Sequence, residues 1–175
     1  MKKIAGFSTS SSSKSINRIL LSKTLKQIEN CQPYVIDLNQ NIPIYSIDIE
    51  EKNGIPKEIH SMFNELQSHD AYVIAIAEHN GSMTALFKNT LDWLSRINQN
   101  IFGNKPTFLV STSPGPNGGK FALDHVKNIL PFLGGYIVTY FSLNSFYDNY
   151  QNESISDYQI NKEFTEALSL FKTTL

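Results

Sequence analysis

Cysteine is almost missing: Cys31 stands alone in 175 residues. No internal disulfide can form, and no Cys/His cluster has zinc-ligand spacing, so a reducing compartment and a metal-free fold are the default. Excess charge is missing too. Fifteen Lys plus Arg against sixteen Asp plus Glu leave a formal charge of -1. That balance argues against a broad basic face for nucleic acid and against the acidic surface of a carrier that docks on basic partners. No window approaches roughly eighteen consecutive apolar residues, the length of a membrane span. Met1-Lys2-Lys3-Ile4 leads into an apolar stretch too short for a secretory signal before Ser8 to Ser15 interrupt it. A cytoplasmic location is expected by elimination. Two nucleotide fingerprints are absent as well. No Gly-x-Gly-x-x-Gly follows the first apolar run, and no glycine-rich run ends in Gly-Lys-Ser/Thr. A Rossmann-type NAD site and P-loop hydrolysis are both disfavoured, and Asp37, near the place of a ribose-binding acid, reads as a strand-end residue.

What is present is an ordinary globular composition, 41% hydrophobic and 18% charged, in a chain long enough for one well-developed core. One domain over residues 1–175 is expected. Short apolar runs alternate with segments of helical period, the mark of a parallel sheet covered by helices on both faces. Strands are predicted at Ile4 to Phe7, Tyr34 to Leu38, Ala71 to Ala77, Thr107 to Val110 and Tyr136 to Phe141. The run at 71–77 is uninterrupted, as a central strand should be. Helices are predicted from about Ser15 to Asn30 and Lys57 to His69, then through Met83 to Leu94, Ala122 to Leu133 and Ile160 to Phe171. Asn39 to Gly54 shows no clear period and reads as a long surface connection.

In such a sheet, ligands bind beyond the carboxyl ends of the strands. Three connections there have unusual composition. The first, Ser8-Thr9-Ser10-Ser11-Ser12-Ser13-Lys14-Ser15, places hydroxyls before a helix, where the dipole and free N–H groups favour an anion. Its plainer reading is a Ser-rich turn ending in an N-cap at Ser13 or Ser15. A phosphate held by hydroxyls without glycines points to a mononucleotide such as FMN. The second connection opens with Glu78-His79-Asn80-Gly81-Ser82 and runs into Leu86-Phe87-Lys88-Asn89-Thr90-Leu91-Asp92-Trp93. The third carries Ser111, Thr112, Ser113 and Gly118-Gly119.

With Ser15-Ile16-Asn17, the second connection resembles the NAD(P)H-dependent FMN reductases, which include bacterial quinone, azo-dye and chromate reductases. The family pattern is roughly Pro-Glu-Tyr-Asn-Gly-Ser followed by Leu-Lys-Asn-Ala-Ile-Asp-Trp. The resemblance extends through Asp37-Leu38, Pro43, Tyr45 and Asp48 to Gly118-Gly119. It implies an α/β, three-layer flavodoxin-like fold, with a five-stranded parallel sheet of order 2-1-3-4-5 and helices on both faces. Ser10, Ser12, Ser15, Ile16 (through its amide) and Asn17 would surround the FMN phosphate. Glu78, His79, Asn80 and Gly81 would border the isoalloxazine, largely through main-chain atoms, with Gly81 allowing close approach. Ser111, Thr112, Ser113, Gly118 and Gly119 would form the other wall. Lys88, Asp92 and Trp93 read as structural, His60, His69 and His125 as surface residues, and Cys31 as a small filler.

The sequence departs from the pattern in two places. Ser12 stands where the family often has an arginine, whose charge-assisted bonds to phosphate a serine cannot match. Weaker FMN retention is implied, with Lys14 as a partial substitute. His79 and Ala77 replace the usual tyrosine and proline, and His79 reads either as a ring against the flavin or as a solvent-facing loop residue.

The implied activity is a flavin oxidoreductase that takes a hydride from NADH or NADPH and passes electrons to FMN, a quinone or a similar small acceptor by ping-pong exchange. The flavin carries that chemistry, so no catalytic side chain and no metal ligand are assigned. A homodimer or homotetramer is implied, with no nucleic-acid or membrane partner. Two alternatives stay open: a flavodoxin-type electron carrier without turnover of its own, and a relative that has lost FMN for another phosphate ligand. Fold alone does not separate them.

Overall fold

The computed structural model describes residues 1–175. Ala71 to Ile76 form β3, and the strand explains the layering. Tyr72, Ile74 and Ile76 belong to one buried cluster, whereas Ala71, Val73 and Ala75 belong to another. Side chains of a strand alternate between faces, so a run apolar at every position demands cover on both.

The cover is supplied by the chain on either side. Lys2–Ser8 form β1, Ile16–Lys26 α1, Cys31–Val35 β2, Ile47–Asn53 α2 and Lys57–Gln67 α3. After β3 come a hairpin of β4 (Glu78–His79) and β5 (Ser82–Met83), then α4 (Ala85–Ile97), β6 (Lys105–Thr112) and α5 (Lys120–Ile129). A 3₁₀ turn at Leu130–Leu133 leads into β7 (Gly135–Leu143). The chain closes with α6 (Phe146–Asn149), a hairpin of β8 (Tyr150–Gln151) and β9 (Ser154–Ile155), and α7 (Tyr158–Lys172). The sheet runs β2-β1-β3-β6-β7, all parallel. Counting its five strands along the chain, this is the expected order 2-1-3-4-5. Residues of α3, α4 and α5 fill one core and residues of α1 and α7 the other. No helix is long and apolar enough to cross a membrane.

Four local expectations are corrected. The second strand lies at 31–35 rather than 34–38, because register with β1 pairs Lys2 with Cys31 and Gly6 with Val35. Pro33 is tolerated there because β2 is an edge. Ile36 and Leu38 are buried as the chain leaves the sheet. The segment 39–54 contains a helix, α2, with Ser46 Oγ accepting from Asp48 N and Gly54 ending it at φ 74°. No residue of α2 is buried, so it has no apolar stripe to read. The first helix ends at Lys26. His69 is buried, its Nδ1 2.8 Å from the carbonyl of Glu65, while His60 and His125 are exposed as expected.

Candidate functional site

The three connections follow β1, β3 and β6, which are adjacent in the sheet. Their residues therefore converge at one edge. Within the first, hydroxyls fold the backbone by a repeated two-residue turn. Ser8 Oγ accepts from Ser10 N at 3.3 Å, Ser10 Oγ from Ser12 N at 3.2 Å, and Ser12 Oγ from Lys14 N at 3.2 Å. Ser and Thr hydroxyls commonly hold turns in this way. Ser15 is the N-cap of α1, its Oγ accepting from Arg18 N at 3.3 Å. The intervening N–H groups of Ser11, Ser13, Ile16 and Asn17 donate to no group of the chain. A row of free amides at a helix N-terminus suits a phosphate.

Three sets of hydrogen bonds latch the connections together. Thr9 Oγ1 accepts from Ala77 N at 2.8 Å, and Thr84 Oγ1 donates to Thr9 O at 2.6 Å, which joins the first connection to the second. Asn17 Nδ2 donates to Thr112 O at 3.0 Å while its Oδ1 accepts from Thr112 N at 2.9 Å, which joins the first to the third. Glu78 Oε2 accepts from Ala122 N at 3.1 Å in the first turn of α5, which joins the second to the third. Beside it, Ser82 Oγ lies 3.1 Å from His125 Nδ1.

Asn80 and Gly81 form the two-residue turn of the β4–β5 hairpin at φ 51° and 74°. That left-handed pair is the reason for the Asn-Gly dipeptide. His79, Asn80 and Gly81 are exposed, and a Cβ at Gly81 would meet nothing within 4 Å. Open space thus lies over this turn. Across the site, Gly118 sits at φ 60°, and a Cβ there would come within 2.3 Å of Ser142 Oγ. Ser111 and Ser142 both donate to Gly118 O, at 2.9 and 3.1 Å, and Ser113 Oγ donates to Gly115 O at 3.2 Å.

The structure thus brings all the expected site residues to one rim, but in two groups. The free amides and the exposed hairpin are available to a ligand. The side chains of Asn17, Glu78 and Ser111 are committed to the scaffold. Thr9 and Thr84, which with Thr112 organise the rim, were not among the expected site residues. Thr84 carried a legible signal as an N-cap before an apolar helix, its Oγ1 accepting from Phe87 N at 3.2 Å. The Lys-Asn-x-x-Asp-Trp stretch lies outside the rim. Asn89 Nδ2 and Trp93 Nε1 donate to Pro43 O at 3.0 and 2.8 Å, and Tyr45 N donates to Asn89 Oδ1 at 2.7 Å. Arg96 pairs with Glu50 on α2. These bonds strap residues 43–50 onto α4. Lys88 and Asp92 form an ion pair on the same helix.

The family model described as NADPH-dependent FMN reductase matches residues 2–148. A quinone reductase of Escherichia coli K12 is 29% identical over 125 residues, covering 68% of this chain and 64% of that protein. The match thus spans less than two thirds of that relative's length. An NAD(P)H-dependent FMN reductase of Pseudomonas aeruginosa is 29% identical over 131 residues, 75% of this chain and 70% of that one. Among solved structures, the flavoenzyme NAD(P)H:(acceptor) oxidoreductase FerB of Paracoccus denitrificans superposes with a TM-score of 0.81 at 23% identity, over 99% of this chain and 97% of that one. At that identity the likeness concerns the fold.

Proposed function

The chain belongs to the NADPH-dependent FMN reductase family, and from that premise we propose that it is an FMN-dependent oxidoreductase. It takes a hydride from NAD(P)H and passes electrons to FMN, a quinone or a similar small acceptor. The observation that carries this reading is the row of free amides at Ser11, Ser13, Ile16 and Asn17, latched beside an exposed hairpin. This chain fits FMN: a phosphate meets unpaired donors, and a flat ring meets open backbone at Gly81. The chemistry supplied by a bound FMN, hydride acceptance and electron delivery, is the flavin's own.

The residues bind and orient. The amides of Ile16 and Asn17 and the hydroxyls of Ser10, Ser12 and Ser15 surround the phosphate. The backbone of Glu78, His79, Asn80 and Gly81 borders the polar edge of the ring. The segment from Ser111 and Ser113 to Gly118 and Gly119 forms the opposite wall, its bend held by the left-handed glycines. Asn17 acts twice: its amide faces the phosphate while its side chain holds Thr112. The protein works in the cytoplasm as a homodimer or homotetramer. Exposed aromatics such as Tyr147 and Phe121 are available to a second copy.

The test is absorbance after loading with FMN and desalting, followed by anaerobic NADPH or NADH. A retained yellow spectrum that bleaches, with turnover of a quinone, supports the proposal. A spectrum retained but unbleached would make the protein an electron carrier, and a colourless protein unable to turn over added FMN would sink the reading.

A further inference from the structure

The β4–β5 hairpin is too short to hold itself. Its strands pair at two positions only, Glu78 with Met83 and His79 with Ser82, and an isolated hairpin is marginal in water. The base is fixed. Ala77 N donates to Thr9 Oγ1, Thr84 Oγ1 donates to Thr9 O, and Met83 is buried. The tip is not: Asn80 and Gly81 are exposed, and a Cβ at Gly81 would meet nothing within 4 Å. Between base and tip, each strand is tied once to α5. On β4, Glu78 Oε2 accepts from Ala122 N at 3.1 Å. On β5, Ser82 Oγ lies 3.1 Å from Nδ1 of His125. Ala122 and His125 are three residues apart and so neighbours on one helix face. Neither the Ser82 hydroxyl nor the His125 ring has another hydrogen-bond partner in the chain. A hydroxyl both donates and accepts, so it serves either tautomer of the imidazole.

One tie would let the turn pivot about β4, and a second on the same helix stops the pivot. The second tie is also the nearer to the tip, since Ser82 follows Gly81 directly. We propose that His125 is a positioning residue of this reductase. Through Ser82 it holds the Gly81 side of the hairpin in the place from which the backbone of His79, Asn80 and Gly81 borders the flavin ring. It touches neither the flavin nor a substrate, and its effect lies in the free protein. A turn already fixed before FMN arrives loses little further freedom on binding, whereas a swinging turn subtracts its ordering cost from the affinity. The inference rests on the reductase reading above and adds a residue that acts on the site from outside it.

The test is fluorescence titration of the full-length protein with FMN, which needs no turnover. His125→Ala removes the ring, His125→Phe keeps a ring without nitrogen, and His125→Asn puts an amide where Nδ1 stood. His125 is exposed, so the core stays intact, and circular dichroism verifies that each variant folds. FMN affinity is expected to fall about two- to tenfold in the Ala and Phe variants, the worth of one hydrogen bond, and to return to within about twofold of wild type in the Asn variant. Ser82→Ala is expected to match His125→Ala, and the two together to bind FMN no worse than either alone, as partners in one contact do. Wild-type affinity in both the Ala and Phe variants overturns the inference. So does an Asn variant as weak as Ala, or losses that add in the double variant. If the wild type binds no FMN, the reductase reading fails, and hydrogen exchange of the hairpin amides decides the tie alone. Faster exchange in the Ala and Phe variants than in wild type and Asn upholds it, and equal exchange in all four overturns it.

Discussion

Glu78 and Ala122 lie 44 residues apart, yet the Glu78 carboxylate caps the first turn of α5 by accepting the Ala122 N–H at 3.1 Å. The N-cap position itself is Gly119, which has no side chain to do so. One bond therefore satisfies an orphan amide, places an anion at the positive end of a helix and fixes the hairpin against the opposite wall.

Glu78→Ala is expected to cost about 0.5–2 kcal/mol, as loss of an N-cap acceptor does. It should also weaken FMN binding by loosening the hairpin, and Glu78→Gln, which keeps an acceptor, should lose less of both. Thermal unfolding and FMN titration of the two variants check this. Equal losses in both would show that the acceptor is not what matters.

Asn17 meets Thr112 with a donor and an acceptor together. Asn17→Leu strands a buried N–H and a buried C=O, at about 1–3 kcal/mol each. Asn17→Asp keeps the bond from Thr112 N but turns a carboxylate oxygen toward Thr112 O. Denaturant unfolding should find both variants less stable than wild type. An Asn17→Asp protein as stable as wild type would contradict this geometry.

Ser12 is exposed, and its hydroxyl accepts only from Lys14 N. Replacing it costs the fold little. Ser12→Arg is expected to tighten FMN about tenfold, the worth of one charge-assisted bond to phosphate of about 1.4 kcal/mol. Fluorescence titration reads the change, and it should shrink with added salt. Unchanged affinity would place the phosphate away from this loop.

Trp93 is fully buried, and its indole N–H holds Pro43 O. Trp93→Phe keeps most of the apolar burial and loses that bond, for about 0.5–1.5 kcal/mol, since Asn89 Nδ2 still donates to Pro43 O. Trp93→Ala adds a cavity, for about 3–5 kcal/mol. Because the strap lies outside the rim, FMN affinity of the Phe variant should match wild type, and a large drop would tie the strap to the site.

Asp70 Oδ2 accepts from Lys3 N at 2.8 Å, and that bond holds its carboxyl below the ordinary carboxylate value. A folded pKa lowered below the unfolded one contributes stability above the unfolded value, near 3.9, and loses it as pH falls through the folded one. Below about pH 4 the wild type should therefore lose stability more steeply than Asp70→Asn. Melting temperatures measured across that window that fall in parallel would refute it.

The architecture was legible because it rests on periodicity. The all-apolar run at 71–77 announces a strand buried on both faces, and the stripes of α4, α5 and α7 announce the layers that bury it. The local conformation of the loops at that edge was legible too, since Ser8 to Ser15 and Asn80-Gly81 are local signals for a helix N-terminus and a left-handed turn. Helix α2 was not, because burial writes the apolar period and α2 has no fully buried residue, only Ile49 packing in part against the core. The roles of Asn17, Glu78, Thr84 and Trp93 were not legible either. Each makes a hydrogen bond to backbone 44 to 95 residues distant, and no local pattern records a partner that far along the chain. The sequence by itself determined the layers and which loops carry an unusual run of hydroxyls and glycines. Only the tertiary structure decided which polar side chains remain free at the rim and which are spent holding it together, because that depends on which backbone amides and carbonyls folding leaves unpaired beside them.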